Sequence, residues 1–236
     1  MFNIIKQIYR IVEQKIPIIA RLKILVRNTL NEKNCIYNIN GTNNSILKDG
    51  VKLNNVKFNI TGNNNKIIIG PGCYLNNVRF YIKGSGHNID ISENCWFKRR
   101  ASIDFEDENC TLFIGKNSVL EEANIAVVEP GMKVIIGEDC MFGQHIYIRT
   151  TDSHSIISQE SGKRINFAKN IEIEDHVWIC DHCIILKGVH IGKNSIIGAG
   201  SVVTKSCGPG VILAGNPAKV VKTGVSWDRE RINNQK

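Results

Sequence analysis

From Ile173 to Val203 every sixth position holds an Ile or a Val: Ile173, Ile179, Ile185, Ile191, Ile197 and Val203. These two residue types fill 55 of the 236 positions, so six consecutive hits from a given start have a chance on the order of one in ten thousand if positions were independent. A second column, Val177, Cys183, Val189, Ser195 and Ser201, is uniformly small or β-branched. An α-helix requires a period near 3.6 and a hairpin sheet a period of 2, so neither accounts for a strict six. Six residues per wall and three walls per turn give a coil of about 18 residues, each stacked on the last by parallel strand pairing at ~4.8 Å. The period predicts a mainly β chain wound as a parallel β-helix. Its handedness is left open, apart from the general preference of parallel crossovers for the right hand.

Longer coils continue the pattern upstream. "LNNVKFNITGNNNKIIIG" from Leu53 aligns with "LNNVRFYIKGSGHNIDIS" from Leu75. The expected inward triplets are Ile69, Leu75, Tyr81; Ile91, Phe97, Ile103; Ile114, Leu120, Ala126; and Ile136, Phe142, Ile148, with the surplus residues in turn-rich stretches at one corner. Cys73, Cys95, Ser118 and Cys140 follow one another at steps of 22, 23 and 22 residues, as one repeating small core site would. The prism is expected to run from about Ile39 to Val203.

The pattern breaks once on a large scale. Between Ile148 and Ile173 the step is 25 residues, and the intervening 150–170 loop carries Asp152, His154, Lys163 and Arg164. A long interruption of a regular scaffold is more often functional than neutral, which makes it the first place to look for chemistry. The chain divides accordingly into a segment 1–35, a β-helix 36–207 with its inserted loop, and an extension 208–236. Residues 1–30 contain Lys6, Arg10, Lys15, Arg21, Lys23 and Arg27 against Glu13, so this arm supplies +5 of the formal +8. Its apolar positions Ile5, Ile8, Val12, Ile16 and Ile19 approach helical spacing, with Pro17 forcing a break. It reads as a cap on the prism or as a basic amphipathic helix touching a membrane or a partner. A second helix is expected from Ser226 as cap.

With the charge concentrated there, a nucleic-acid footprint is not indicated. No run reaches the ~18 apolar residues of a spanning helix, and no export signal is evident. A cytoplasmic protein with reduced thiols is therefore expected, free or peripheral to the inner face of the membrane through residues 1–30.

"HVWI" at 176–179, "ILKGVHIG" at 185–192, "IIGAGSVVTK" at 196–205 and "AGNPAK" at 214–219 resemble the hexapeptide-repeat acyltransferases. The resemblance is close over roughly residues 130–222, and it implies a left-handed coil. "RTTDSHSI" at 149–156 with "KRIN" at 163–166 is most similar to sugar O-acetyltransferases of bacterial capsule and surface polysaccharides, including those acting on sialic acid polymers. The implied reaction moves an acetyl group from acetyl-CoA, a co-substrate, to a sugar hydroxyl, with no metal. A hydroxyl is a poor nucleophile at neutral pH, so a base is required, and His suits that task. His154 matches the family's catalytic position. Asp152 would either orient the imidazole or bond the loop backbone.

By strand alternation Trp178 faces outward, where a subunit neighbour, pantetheine or the acceptor would cover it. The resemblance further implies CoA contacts at Gly198, Ala199, Lys205, Pro217, Lys219 and Lys222, a place for Trp178 beside the active site, and a homotrimer with sites between subunits. His145, near a corner, is a fallback base or an acceptor contact, and Lys163 and Arg164 are candidates to meet an acidic acceptor.

Two other classes compete. A trimeric zinc hydratase would use His176, His182 and His190, but His176 and His182 are six apart and so lie on adjacent walls. Cys180 and Cys183 point to opposite sides of a wall. A non-enzymatic scaffold would explain the core columns, though not the loop that carries His154.

Overall fold

The computed structural model describes residues 31–233; the helix expected within 1–30 lies outside them. Over the described residues the chain winds into a left-handed parallel β-helix. Its first wall stacks Leu53, Leu75, Phe97, Leu120, Phe142, Ile179, Ile197 and Leu213 in register. The second stacks Phe58, Phe80, Ile103, Ile125, Ile148, Ile185 and Val203. The third stacks Ile69, Ile91, Ile114, Ile136, Ile173 and Ile191. All of these side chains are buried. Each aliphatic sits above its counterpart one coil below, so the apolar face that a single coil cannot bury alone becomes a continuous core.

Two expected inward positions fall one residue off. Phe80 and Ile125 occupy the second-wall column, whereas Tyr81 points outward, and its outward column runs through Asp104 and Ala126 to Arg149. The cause is the corner between the first two walls. Leu75 and Val78 are three residues apart, as are Leu120 and Ala123, while Phe142 and Ile146 are four apart. A corner shortened by one shifts everything after it by one, and a one-residue slip exchanges the two faces of a strand.

The surplus residues of the longer coils do more than protrude. They lengthen the second wall by a further inward position, filled by Ile60, Ile82, Phe105 and Val127, before the chain turns. The turn then stacks Gly41, Gly62 and Gly84 at φ of 125°, 135° and 124°. A Cβ on any of them would fall inside a carbonyl of the coil above.

The other corners use left-handed residues that bear side chains: Asn94, Asn117, Asp139, His145, His176, His182 and Asn194 all have φ between 53° and 62°. Asn, Asp and His are the types that tolerate this region best. His145, His176 and His182 thus have a structural reason for their positions.

Cys73, Cys95, Ser118 and Cys140 are buried as one column, and the cysteines are free thiols. Burial pushes the Cys140 thiol up to about 12, so it packs as a protonated, unreactive small hydrophobe.

The extension does not begin with a helix. Val211–Gly215 adds a further parallel rung to the first wall, and Ala218–Thr223 turns back antiparallel on it. From Ser226 to Asn233 the chain is irregular; the Trp227 carbonyl and indole both bond to His176 and Arg229 bonds to Asp139, so the segment is held against the prism.

The glycine stack gives a direct test. Gly62→Ala should destabilise the fold by at least ~2 kcal/mol, a fall in melting temperature of roughly 4–8 °C for a chain of this size. Ala at Gly131, where a Cβ meets nothing, should cost less, because only its backbone angle is strained.

Candidate active site

The loop after Arg149 leaves the corner between the second and third walls and is held by a defined set of bonds. Thr150 is fully buried; its hydroxyl donates to the Val128 carbonyl and accepts from the Val128 N–H, both at 2.9 Å. Its own carbonyl accepts from the Lys169 N–H at 3.0 Å and so ties the two ends of the loop together. Within the loop, Ile157 and Arg164 form an antiparallel bridge, closing a small hairpin.

Asn166, buried among exposed neighbours, is the hub. Its amide donates to the Asp152 carboxylate and to the His154 carbonyl, both at 2.8 Å, and its oxygen accepts from the Ile156 N–H at 2.7 Å. Asp152 also pairs with Lys187.

Glu129 forms a second anchor. It receives the Arg164 guanidinium through two nitrogens, the Thr151 hydroxyl at 2.6 Å and the Ala168 N–H at 3.4 Å. The Arg164 bond is the main cause holding the Glu129 carboxyl below the usual range. Lys187 and then Asn166 do the same for Asp152.

His154 stands on this frame, exposed, with its backbone N–H donated to the Asp152 carbonyl at 2.9 Å. Among the described residues its ring has no hydrogen-bond partner. Asp152 accepts from Asn166 and Lys187 through one carboxylate oxygen, Oδ2, and so fixes the loop; among the described residues it makes no hydrogen bond to the His154 ring. Arg164 is likewise committed to Glu129 and to the face of Phe167, so it is a strut of the loop rather than an open acceptor contact. Lys163 is exposed at the hairpin.

The remaining candidates separate into places. Lys205 follows Val203 at the same corner as the loop. Trp178 lies on the outward side of the first wall, in one column with Ile196, Ile212 and Lys222. Lys219 and Pro217 lie beside that column on the last strand and its turn. Gly198 and Ala199 form the corner between the first and second walls in the adjacent coil, and His145 occupies that corner lower down. In a triangular prism the corner carrying His154 is opposite the wall carrying Trp178. One chain therefore holds both halves of the expected site on opposite sides of itself.

The covering for Trp178 comes partly from the chain's own tail. Trp227 lies 6.0 Å from it, ring to ring, and stacks on His176 at 4.2 Å with the planes 6° apart. The Trp227 indole N–H donates to the His176 carbonyl at 2.8 Å, while the His176 ring nitrogens lie 2.8 Å from the Asp139 carboxylate and 2.9 Å from the Trp227 carbonyl. Arg229 then clasps Asp139 at 2.8 Å. Burial would raise the Asp139 pKa, but Arg229 and His176 outweigh it and the net shift is downward. His190 pairs instead with Glu174 at 2.9 Å, and His182 stacks on His145 at 4.7 Å. The three histidines considered for zinc thus do three separate jobs.

Asn166, Glu129, Lys187 and Trp227 were not singled out from the sequence. The first three are ordinary polar types without a spacing signal; Trp227, a rare aromatic in a polar tail, was the one available cue.

Fold and site define the class as an acyltransferase of the hexapeptide-repeat type. The family described as "Bacterial transferase hexapeptide (six repeats)" matches residues 170–205. A polysialic acid O-acetyltransferase of Neisseria meningitidis is 34% identical over 197 residues, covering 83% of this chain and 90% of that protein. One from Escherichia coli O1:K1 is 36% identical over 118 residues, 50% of this chain and 38% of that protein. The crystal structure of the polysialic acid O-acetyltransferase OatWY superposes with a TM-score of 0.79 at 31% identity, covering 85% of this chain and 94% of that one. The chain belongs to the sugar O-acetyltransferases of this family, the group that contains those enzymes.

Two outcomes follow for the frame. Glu129→Gln should raise hydrogen exchange across 154–168 roughly tenfold, the effect of losing a charged hydrogen bond. In the wild type the Glu129 carboxyl is held low, so the anchor is complete above the ordinary Glu value of ~4.3 and is lost only as the pH falls through the lowered folded value. Exchange corrected for its intrinsic pH dependence should therefore stay flat from neutral pH down to that range. Separately, Trp227→Ala should free residues 224–233 for proteolysis and shift Trp178 emission to the red.

Proposed function

We propose that this chain transfers the acetyl group of acetyl-CoA to a hydroxyl of a sialic acid-type surface polysaccharide or its precursor, as a homotrimer whose sites form between subunits. The observation that carries this reading is the separation just described. His154 presents at one corner a ring that has no hydrogen-bond partner among the described residues, while Trp178 and the Lys219 and Lys222 strand lie on the opposite wall, so the two meet only when another copy supplies the second half. The exposed Ile156, Ile157, Ile165 and Phe167 of the hairpin are consistent with cover by that neighbour.

In this mechanism His154 accepts the proton of the sugar hydroxyl as its oxygen attacks the thioester carbonyl. The tetrahedral species collapses with cleavage of the C–S bond. The proton on the imidazole passes to the departing thiolate, and the ring returns neutral. Lys219, Lys222 and Lys205 face the CoA phosphates, and the small corner Gly198–Ala199 admits pantetheine beside the backbone. The reaction is cytoplasmic, and the basic arm 1–30 brings the trimer to the inner membrane face or to a biosynthetic partner.

The test is thioester consumption with acetyl-CoA and polysialic acid. His154→Ala should lower kcat by roughly 10²–10⁴-fold with an unchanged sedimentation coefficient. Turnover like the wild type in that variant would remove His154 as the base, and a monomeric, fully active wild type would remove the shared site.

A further inference from the structure

A groove of about 520 Å³ runs along the prism away from the loop, where the corner between the first and second walls meets the outward side of the second wall. Its floor is one outward column, Lys57, Arg79, Ser102, Asn124 and Tyr147, each one coil above the last. Four steps of ~4.8 Å make this track roughly 19 Å long. The corner beside it carries Arg100 and His145.

The chemistry of this lining is selective. Its charged residues are Lys57, Arg79, Arg100 and Glu122. Arg100 pairs with Glu122 at 2.6 Å, and Arg79 reaches Ser102 at 2.9 Å and Asp104 at 3.3 Å. Lys57 has no ion-pair partner among the described residues. Both arginine side chains stay more than half exposed, with guanidinium donors left over for a ligand. Amides, a hydroxyl, guanidinium groups and a half-exposed Tyr147 ring are groups that bind polyhydroxylated, carboxylate-bearing chains. Arginine forks match carboxylates, and an aromatic face accepts the apolar side of a sugar ring.

At its upper end the strand Ile146–Arg149 passes directly into the loop that carries His154. We infer that this groove is a subsite for an acidic oligosaccharide, holding the stretch of acceptor polymer beyond the unit being acetylated. The groove rests on the proposed reaction only for the polymer's identity.

Binding measured without acetyl-CoA separates the two ideas. The full chain is passed over immobilised polysialic acid, with dextran as a neutral control, at low and high salt. The wild type should bind polysialic acid in preference to dextran and lose it at high salt. Arg79→Gln with Arg100→Gln should weaken binding at least about tenfold, the loss of two charge-assisted contacts. Tyr147→Ala and Lys57→Gln, each at an exposed position, should weaken it independently of the double variant. Melting temperature and sedimentation coefficient should be unchanged in all three.

Undiminished binding in these variants, equal retention on dextran, no binding by the wild type, or a changed oligomeric state in the variants would each overturn the subsite. The last would assign the groove to contact between copies. A chain that binds through the groove yet transfers no acetyl group would keep the subsite and overturn the reaction. One that acetylates polysialic acid without using the groove would do the reverse.

Discussion

Every coil of this chain depends on the coil beneath it. A single turn of about 18 or 22 residues cannot bury its inward aliphatics or satisfy its backbone, and the parallel ladder between successive turns solves both problems at once. That dependence explains the strictness of the columns: a misplaced inward residue in one coil disturbs the two it touches. It also explains the corners. Asn, Asp, His and Gly recur at left-handed positions because the chain must turn sharply between walls while keeping its rungs in register. The histidines spread along the corners owe their positions to this geometry first.

A scaffold so rigid gives the loop something to stand on. Glu129 and Lys187 belong to the coils and Thr150 ties the base of the loop to them, and through these three Asn166, Arg164 and Asp152 hold His154 at a fixed place on one corner. The tail adds a matching support elsewhere, where His176, Trp227, Asp139 and Arg229 brace the wall that carries Trp178. Under the proposed reaction, two pre-organised halves on opposite sides of one prism would work together only through association between copies.

Much of the architecture could be read from residues alone, because the period of six is imposed by the walls and written in Ile and Val. The same rule failed at Tyr81 and Ala126, where a corner loses one residue and the alternation slips, an event that pairing reveals and counting does not. Ser226 has the chemistry of a helix cap, yet the segment after it is claimed by the His176 and Asp139 contacts. In the loop, His154 could be found from its position in the break and its resemblance to the family. Its supports could not, since Asn166 and Glu129 become special only when folding brings 129, 152 and 166 together. Arg164 looked open to an acceptor for the same reason: its partner lies 35 residues away.

In the proposed trimer, His154 of one copy completes a site on the wall of another. A crystal structure of the full chain with CoA and an acceptor sugar tests it most directly. The expected result is a trimer in which the His154 imidazole lies within hydrogen-bonding distance of the acceptor hydroxyl, with the CoA sulfur beside Trp178 of a different subunit. A CoA bound wholly within one chain, or a different imidazole, such as that of His145, nearest the reacting atoms, would contradict it.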